Sequence, residues 1–187
     1  MLETVDRSGP LAVFWRERLS IISLRGHSED AAFLEVAQAA LGLAVPTVPC
    51  RTVEGARARI VWAGPDDWFV IQPAARADAL ERRLREGLVG LHAAITDVSS
   101  GYAVLSLSGS PARDVLAQGC PLDLHPRAFG PGCASGTHFF KASVWLWQPD
   151  AAPVFEMLVR RSFRGYVAQM LERSTRECGL HTESPRP

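Results

Sequence analysis

The sequence predicts an α+β protein of two lobes, each an antiparallel sheet packed against helices. Strand-like apolar runs recur in pairs joined by turn residues, helically spaced apolar residues lie between those pairs, and the two halves of the chain repeat this content. With 187 residues, 47% of them hydrophobic and 21% charged, the chain can bury a substantial core and has the composition of a globular protein.

Residues 1–18 are read as an N-terminal arm, because the first ten lack periodicity. The first lobe, 19–91, opens with a short strand at 19–24. Ser28 is placed to cap a helix whose first turn holds Glu29 and Asp30, where acids complement the helix dipole. Phe33, Val36, Ala37, Ala40 and Leu41 share one face of that helix, and Gly42 and Pro46 end it. Strands at 58–63 and 68–72 flank Gly64-Pro65-Asp66-Asp67, which reads as a hairpin turn. Ala77, Leu80, Leu84, Leu88 and Leu91 then recur at helical spacing, with Glu81 one turn before Arg85.

The second lobe, 92–180, begins with strands at 93–98 and 103–107 around Ser-Ser-Gly, read as a further hairpin. Ser110 supplies an N-cap and Pro111 a first-turn proline for a helix over 111–118, and Gly119 stands where a positive φ is expected. The Pro- and Gly-rich stretch 120–136 reads as an irregular loop long enough to be a contact loop. Strands at 144–148 and 154–160 form the last hairpin, and Ser162 caps a closing helix with Phe163, Val167, Met170 and Ser174 on one face. Residues 181–187 are read as a flexible tail.

Twenty basic and twenty acidic residues cancel, and the basic ones are dispersed, which disfavours a nucleic-acid or anionic-membrane partner. No N-terminal leader pattern and no apolar run of ~18 residues is present, so a cytoplasmic protein is expected. Cys50, Cys120, Cys133 and Cys178 are too scattered for a disulfide framework and read as reduced thiols.

Few constellations could carry chemistry. Cys120 with His125 and Cys133 with His138 are ligand types that zinc takes, but structural zinc favours tighter Cys pairs, so these are weak metal candidates beside a reading as packed thiols and surface histidines. Ser99 and Ser100 stand near Asp97 outside any Gly-x-Ser-x-Gly elbow, and Asp97 reads as a turn former bonding backbone N–H groups. Gly130-Pro131-Gly132 lacks the spacing of a phosphate cradle. Asp66 and Asp67 are adjacent carboxylates that point apart in a turn. Trp145 and Trp147 share one strand face, core or docking surface. No catalytic, cofactor-binding or metal residue is assigned, and Trp145, Trp147, Leu124, Phe129 and Leu11 are the candidates for an interface.

A longer pattern runs through these elements: Gly64-Pro65-Asp66-Asp67-Trp68, Thr96-Asp97-Val98-Ser99-Ser100-Gly101, Leu107-Ser108-Gly109 before Ala112-Arg113, Gly119 to Pro126 through Phe129 and Gly132, and Arg161-Ser162-Phe163. In this order the runs resemble the gamma subunit of heterotetrameric sarcosine oxidase over nearly the whole chain. The second half is also similar to the N-terminal region of the glycine-cleavage T-protein family. The resemblance implies two ferredoxin-like, T-protein-like lobes. It further implies a non-catalytic subunit with an assembly role, partnered chiefly by the alpha subunit, with the beta and delta subunits. Such an oxidase demethylates sarcosine to glycine, yielding hydrogen peroxide and 5,10-methylenetetrahydrofolate, with FAD, FMN, NAD and zinc on the partner subunits and no cofactor in this chain. Folate-binding T-proteins carry paired acids on an extended hairpin. Here 136–147 holds no carboxylate, which argues against a pterin site. The alternatives are an autonomous folate-binding, aminomethyltransferase-like protein or a subunit of a related N-methyl amine oxidase.

Overall fold

The computed structural model describes residues 11–179. The tail 181–187 and the first ten residues of the expected arm lie outside them. The class is α+β, with two antiparallel five-stranded sheets and four helices among the described residues. Two compact units divide the chain: residues 18–100, and residues 11–17 with 101–179.

In the unit of residues 18–100, β2 (Leu19–Gly26) leads to α1 (Ala31–Leu41), then β3 (Thr52–Glu54), β4 (Arg59–Gly64), β5 (Asp67–Pro73), α2 (Ala77–Gly87) and β6 (Ala93–Asp97). The strand order is β3-β4-β5-β2-β6. The cap of α1 is Asp30 rather than Ser28: its carboxylate accepts from the backbone N–H groups of Ala32 and Phe33. Gly42 takes the left-handed conformation at φ 69° and returns its N–H to Gln38, the stop that the sequence indicates. Phe33 is fully buried and stacks on Trp68 at 5.7 Å between ring centroids. The indole N–H of Trp68 donates to the Pro46 carbonyl at 2.8 Å, so the largest core side chain keeps its polar atom satisfied. Ile22, Leu24, Ile60, Val70, Leu80 and Leu84 complete this core.

The other unit contains β1 (Ala12–Arg16), β7 (Tyr102–Ser108), α3 (Ala112–Ala117), β8 (Ala134–Phe139), β9 (Ala142–Trp147), β10 (Val154–Arg160) and α4 (Arg164–Glu177). The order is β1-β7-β10-β9-β8. Leu105, Leu107, Leu116, Phe139, Phe155 and Leu171 are among its core residues. The two units share one plan: strand, helix, three-strand meander, helix, and an edge strand beside the first strand. In the first unit that edge strand, β6, follows the closing helix; in the second it is β1, which precedes everything else.

This plan moves the boundaries away from those the sequence suggests. Residues 12–16 belong to no arm: they pair with β7 from Ala12 opposite Ser108 to Arg16 opposite Val104. Residues 93–97 stay with the first unit, β6 pairing with β2 from Gly26–Ala93 to Ile22–Asp97, so β6 and β7 lie in different sheets and form no hairpin. The 120–136 loop ends at residue 133, where β8 begins, and β8 turns into β9 through Phe140 at φ 51°. Neither Ser110 nor Ser162 caps a helix: Pro111 precedes α3 without a side-chain bond, and a 3-10 turn, Arg161–Phe163, feeds directly into α4. Phe163 is exposed, while α4 buries Val167, Leu171, Ser174 and Thr175.

Gly119 also departs from its expected local chemistry. Its φ is not among the positive values. A Cβ there would meet the Phe140 ring at 2.4 Å, so close approach, not backbone handedness, asks for glycine.

Candidate functional site

Three polar assemblies stand out, each within one unit. The first surrounds Glu156, the lone acid in the apolar strand β10. It is 6% exposed, accepts from Arg16 at 2.6 Å and from the indole N–H of Trp147 at 2.9 Å. A buried carboxylate needs both a cation and hydrogen bonds, and here β1, β9 and β10 each contribute one member.

The second assembly orders the loop between α3 and β8. From α3, Arg113 donates to the Phe129 carbonyl at 3.2 Å and to Gln148 Oε1 at 3.1 Å, and lies over the Phe155 ring at 4.9 Å. Partial burial pulls its guanidinium below the ordinary arginine value, with Asp114 pulling the other way. Gly132, at φ 76°, donates to the Gln148 carbonyl at 3.0 Å, and Gln148 donates back to Cys133. The loop expected to be irregular is therefore pinned at 129, 132 and 133, which seats Leu124 and Phe129 in the core.

The third is a cleft of about 620 Å³ in the unit of residues 18–100, lined by Arg25, His27, Asp66, Asp67 and His92. Asp66 occupies the tight turn at φ 59° and accepts from the Ser28 N–H at 2.6 Å. Hydrogen bonds from Ser28, backbone first, hold its carboxyl below the usual carboxylate value, with His27 adding to the effect. Asp67 pairs with Arg25 at 3.1 Å. The two carboxylates thus take different partners and do not form an acid–base pair.

Asp97 accepts from the Ser99 N–H at 2.8 Å, the turn chemistry expected of it, and Ser99 Oγ accepts from the Ile21 N–H at 2.9 Å, tying this turn to β2. The four weak metal candidates are not brought together: no group of three or more His, Cys, Asp or Glu residues that could hold an ion exists among the described residues. Cys120 is buried against Thr137, and His125 organises its own loop, its Nδ1 accepting from Arg127.

The interface candidates separate by burial. Trp147, Leu124 and Phe129 are buried inside this chain, Trp147 bonded to Glu156 and the Phe129 carbonyl to Arg113. Trp145 and Leu11 keep partial exposure. Sequence reasoning missed Arg16, Arg113 and Glu156; a single acid inside the run Val154-Phe155-Glu156-Met157-Leu158 was the available signal, since such a residue must find a buried partner. No helix among the described residues is long and apolar enough to cross a membrane.

Residues 25–177 match the sarcosine oxidase, gamma subunit family. The sarcosine oxidase subunit gamma of an Arthrobacter species is 37% identical over 59% of this chain, and the match spans 54% of that relative, about half its length. The same subunit of Corynebacterium strain P-1 is 33% identical, covering 80% of this chain and 72% of the relative. Among solved structures, the heterotetrameric sarcosine oxidase of Corynebacterium U-96, in complex with pyrrole 2-carboxylate, contains a chain matched with a TM-score of 0.84 and 24% identity over 94% of this chain and 90% of that one. The glycine cleavage system aminomethyltransferase T of Bartonella henselae matches with a TM-score of 0.67 and 15% identity, over 91% of this chain and 47% of that one, a likeness of fold. The expected T-protein-like architecture is thus present, and the chain belongs to the sarcosine oxidase gamma subunit family.

Proposed function

We propose that this chain is a non-catalytic subunit of a sarcosine oxidase complex and acts there by packing and assembly. The observation that carries the reading is where its buried polar chemistry goes. Glu156, Gln148 and Arg59, the last ion-paired with Glu54, tie strands and loops of the scaffold to one another, and Arg113 does the same for the 120–133 loop. The hairpin β8–β9 offers no carboxylate from Cys133 to Pro149, whereas fixing a pterin ring asks for a polar anchor.

The complex oxidatively demethylates sarcosine to glycine, releasing hydrogen peroxide and forming 5,10-methylenetetrahydrofolate. FAD, FMN, NAD and zinc reside on partner subunits, the alpha subunit is the chief partner with beta and delta beside it, and the assembly is cytoplasmic. Trp145 and Leu11 face the partner.

Co-expression with alpha, beta and delta chains, with and without this chain, tests the reading by native mass and sarcosine-dependent peroxide release. The expected result is a complex that contains this chain and loses integrity and peroxide output without it. An unchanged complex in its absence, or micromolar tetrahydrofolate binding by the chain alone, overturns it in favour of a dispensable or folate-binding protein.

A further inference from the structure

A second cavity, of about 370 Å³, lies in the unit of residues 18–100 and is lined by Arg57, Arg76, Arg82 and Arg83 around Leu41, Ala58, Gln72, Ala79 and Leu80. No acid lines it. Of the nearby carboxylates, Glu54 is engaged by Arg59 and Glu81 by Arg85, Asp78 and Glu86 are exposed on α2, and none of the four lining guanidiniums has a carboxylate partner among the described residues.

The site is built rather than merely charged. Leu41, Ala58 and Leu80 form a buried apolar floor. Gln72, itself 4% exposed, donates to the Arg76 carbonyl at 3.3 Å and so fixes the turn that carries Arg76. Positions 76, 79, 80 and 83 recur at helical spacing on one side of α2 and the turn before it, and Ala79 leaves open the room between Arg76 and Arg83. Arg57 arrives from the β3–β4 turn. The four arginines are exposed at the rim of this cavity, and guanidinium forks lining one cavity without an ion-paired carboxylate favour a ligand carrying several carboxylate or phosphate oxygens, which they bind in bidentate fashion. The volume suits a small molecule.

We propose that this pocket binds a small polyanion, a di- or tricarboxylate or a phosphate ester, independently of the oxidase role argued above. Calorimetric titration of the full chain at low salt with pyrophosphate and with citrate tests it, with sodium chloride at matched ionic strength as control. Saturable binding of one molecule is expected, weakened at least about tenfold in Arg82→Gln/Arg83→Gln, since each charge-assisted bond is worth about a factor of ten or more. Binding is expected to vanish in Ala79→Glu, which fills the gap and adds a carboxylate, and to persist in Lys141→Gln, a change in the other unit. Thermal melts identify any variant that fails to fold, and Arg57→Gln, on a separate turn, then serves in its place. Absence of saturable binding of either probe up to about 10 mM, or native affinity in the arginine variants, overturns the proposal. So does loss of assembly with the oxidase subunits in arginine variants of a chain that binds neither anion, an outcome that assigns the cluster to a protein interface.

Discussion

Replacing Gly119 with alanine tests whether contact or backbone handedness selects glycine at the end of α3. The new Cβ would lie 2.4 and 2.5 Å from two atoms of the Phe140 ring and 3.0 Å from a third, whereas carbon atoms pack comfortably at about 3.5–4.0 Å. The ring must therefore move by more than about 1 Å. It is not free to do so: Phe140 packs edge-on against fully buried Phe139 at 5.0 Å between centroids, and its N–H donates to the Gly119 carbonyl at 2.7 Å. Overpacking of this kind costs about 1–3 kcal/mol, and weakening the hydrogen bond adds up to about 1 kcal/mol. Because Phe140 is only half-buried and can partly swing outward, we place Gly119→Ala at about 2 kcal/mol, a fall in Tm of roughly 4–8 °C for a chain of this size. Urea denaturation followed by tryptophan fluorescence measures it, in a cycle with Phe140→Ala. Removing the ring leaves the added methyl in open space, so Gly119→Ala should cost under about 0.5 kcal/mol in that background. An equal cost in both backgrounds would refute the steric account and return the position to a backbone explanation.

Three further perturbations follow from the same geometry. Arg16→Ala removes the cation from buried Glu156; Arg16 is itself a quarter exposed, so the loss should fall below the 3–5 kcal/mol of a fully buried pair, at about 2 kcal/mol by urea denaturation, and Glu156→Gln should suppress the effect of the arginine change. Asp30→Ala removes the cap of α1 and should cost about 1 kcal/mol in the same assay, whereas Ser28→Ala should leave the capping bonds of α1 intact. Asp66 has a lowered pKa, so the stability it confers is fully present above its unfolded value of about 3.9 and is lost as pH falls through the still lower folded value; Asp66→Asn should flatten that part of the acid limb of a stability–pH profile while leaving the profile above pH about 5 unchanged in shape.

Much of the chain was legible because it depends on neighbours a few residues apart. The hairpin at 64–67, the stop at Gly42, the Glu81–Arg85 pair and the turn at Asp97 each close within four residues, and each is present. The same local reading failed at β1, β6 and β8. An edge strand is short and half-polar, and nothing in its own pattern says which distant strand it will join; residues 93–97 sit beside a plausible turn and still pair with β2, far earlier in the chain. The cap of α1 was misplaced by two residues, so that Asp30, read as a first-turn acid, is the cap, because where a helix starts depends on the tertiary packing of residues such as Phe33 as well as on local chemistry.

By itself the sequence determined the α+β class, the element types and the family resemblance, since apolar periodicity, turn chemistry and ordered motifs are properties of the chain. Only the tertiary structure decided which strands close each sheet, that Glu156 is neutralised by Arg16 from a strand 140 positions earlier, and that Arg57 joins Arg76, Arg82 and Arg83 around one cavity. Those outcomes depend on long-range pairing, in which burial of a whole sheet face selects among partners that look alike one segment at a time.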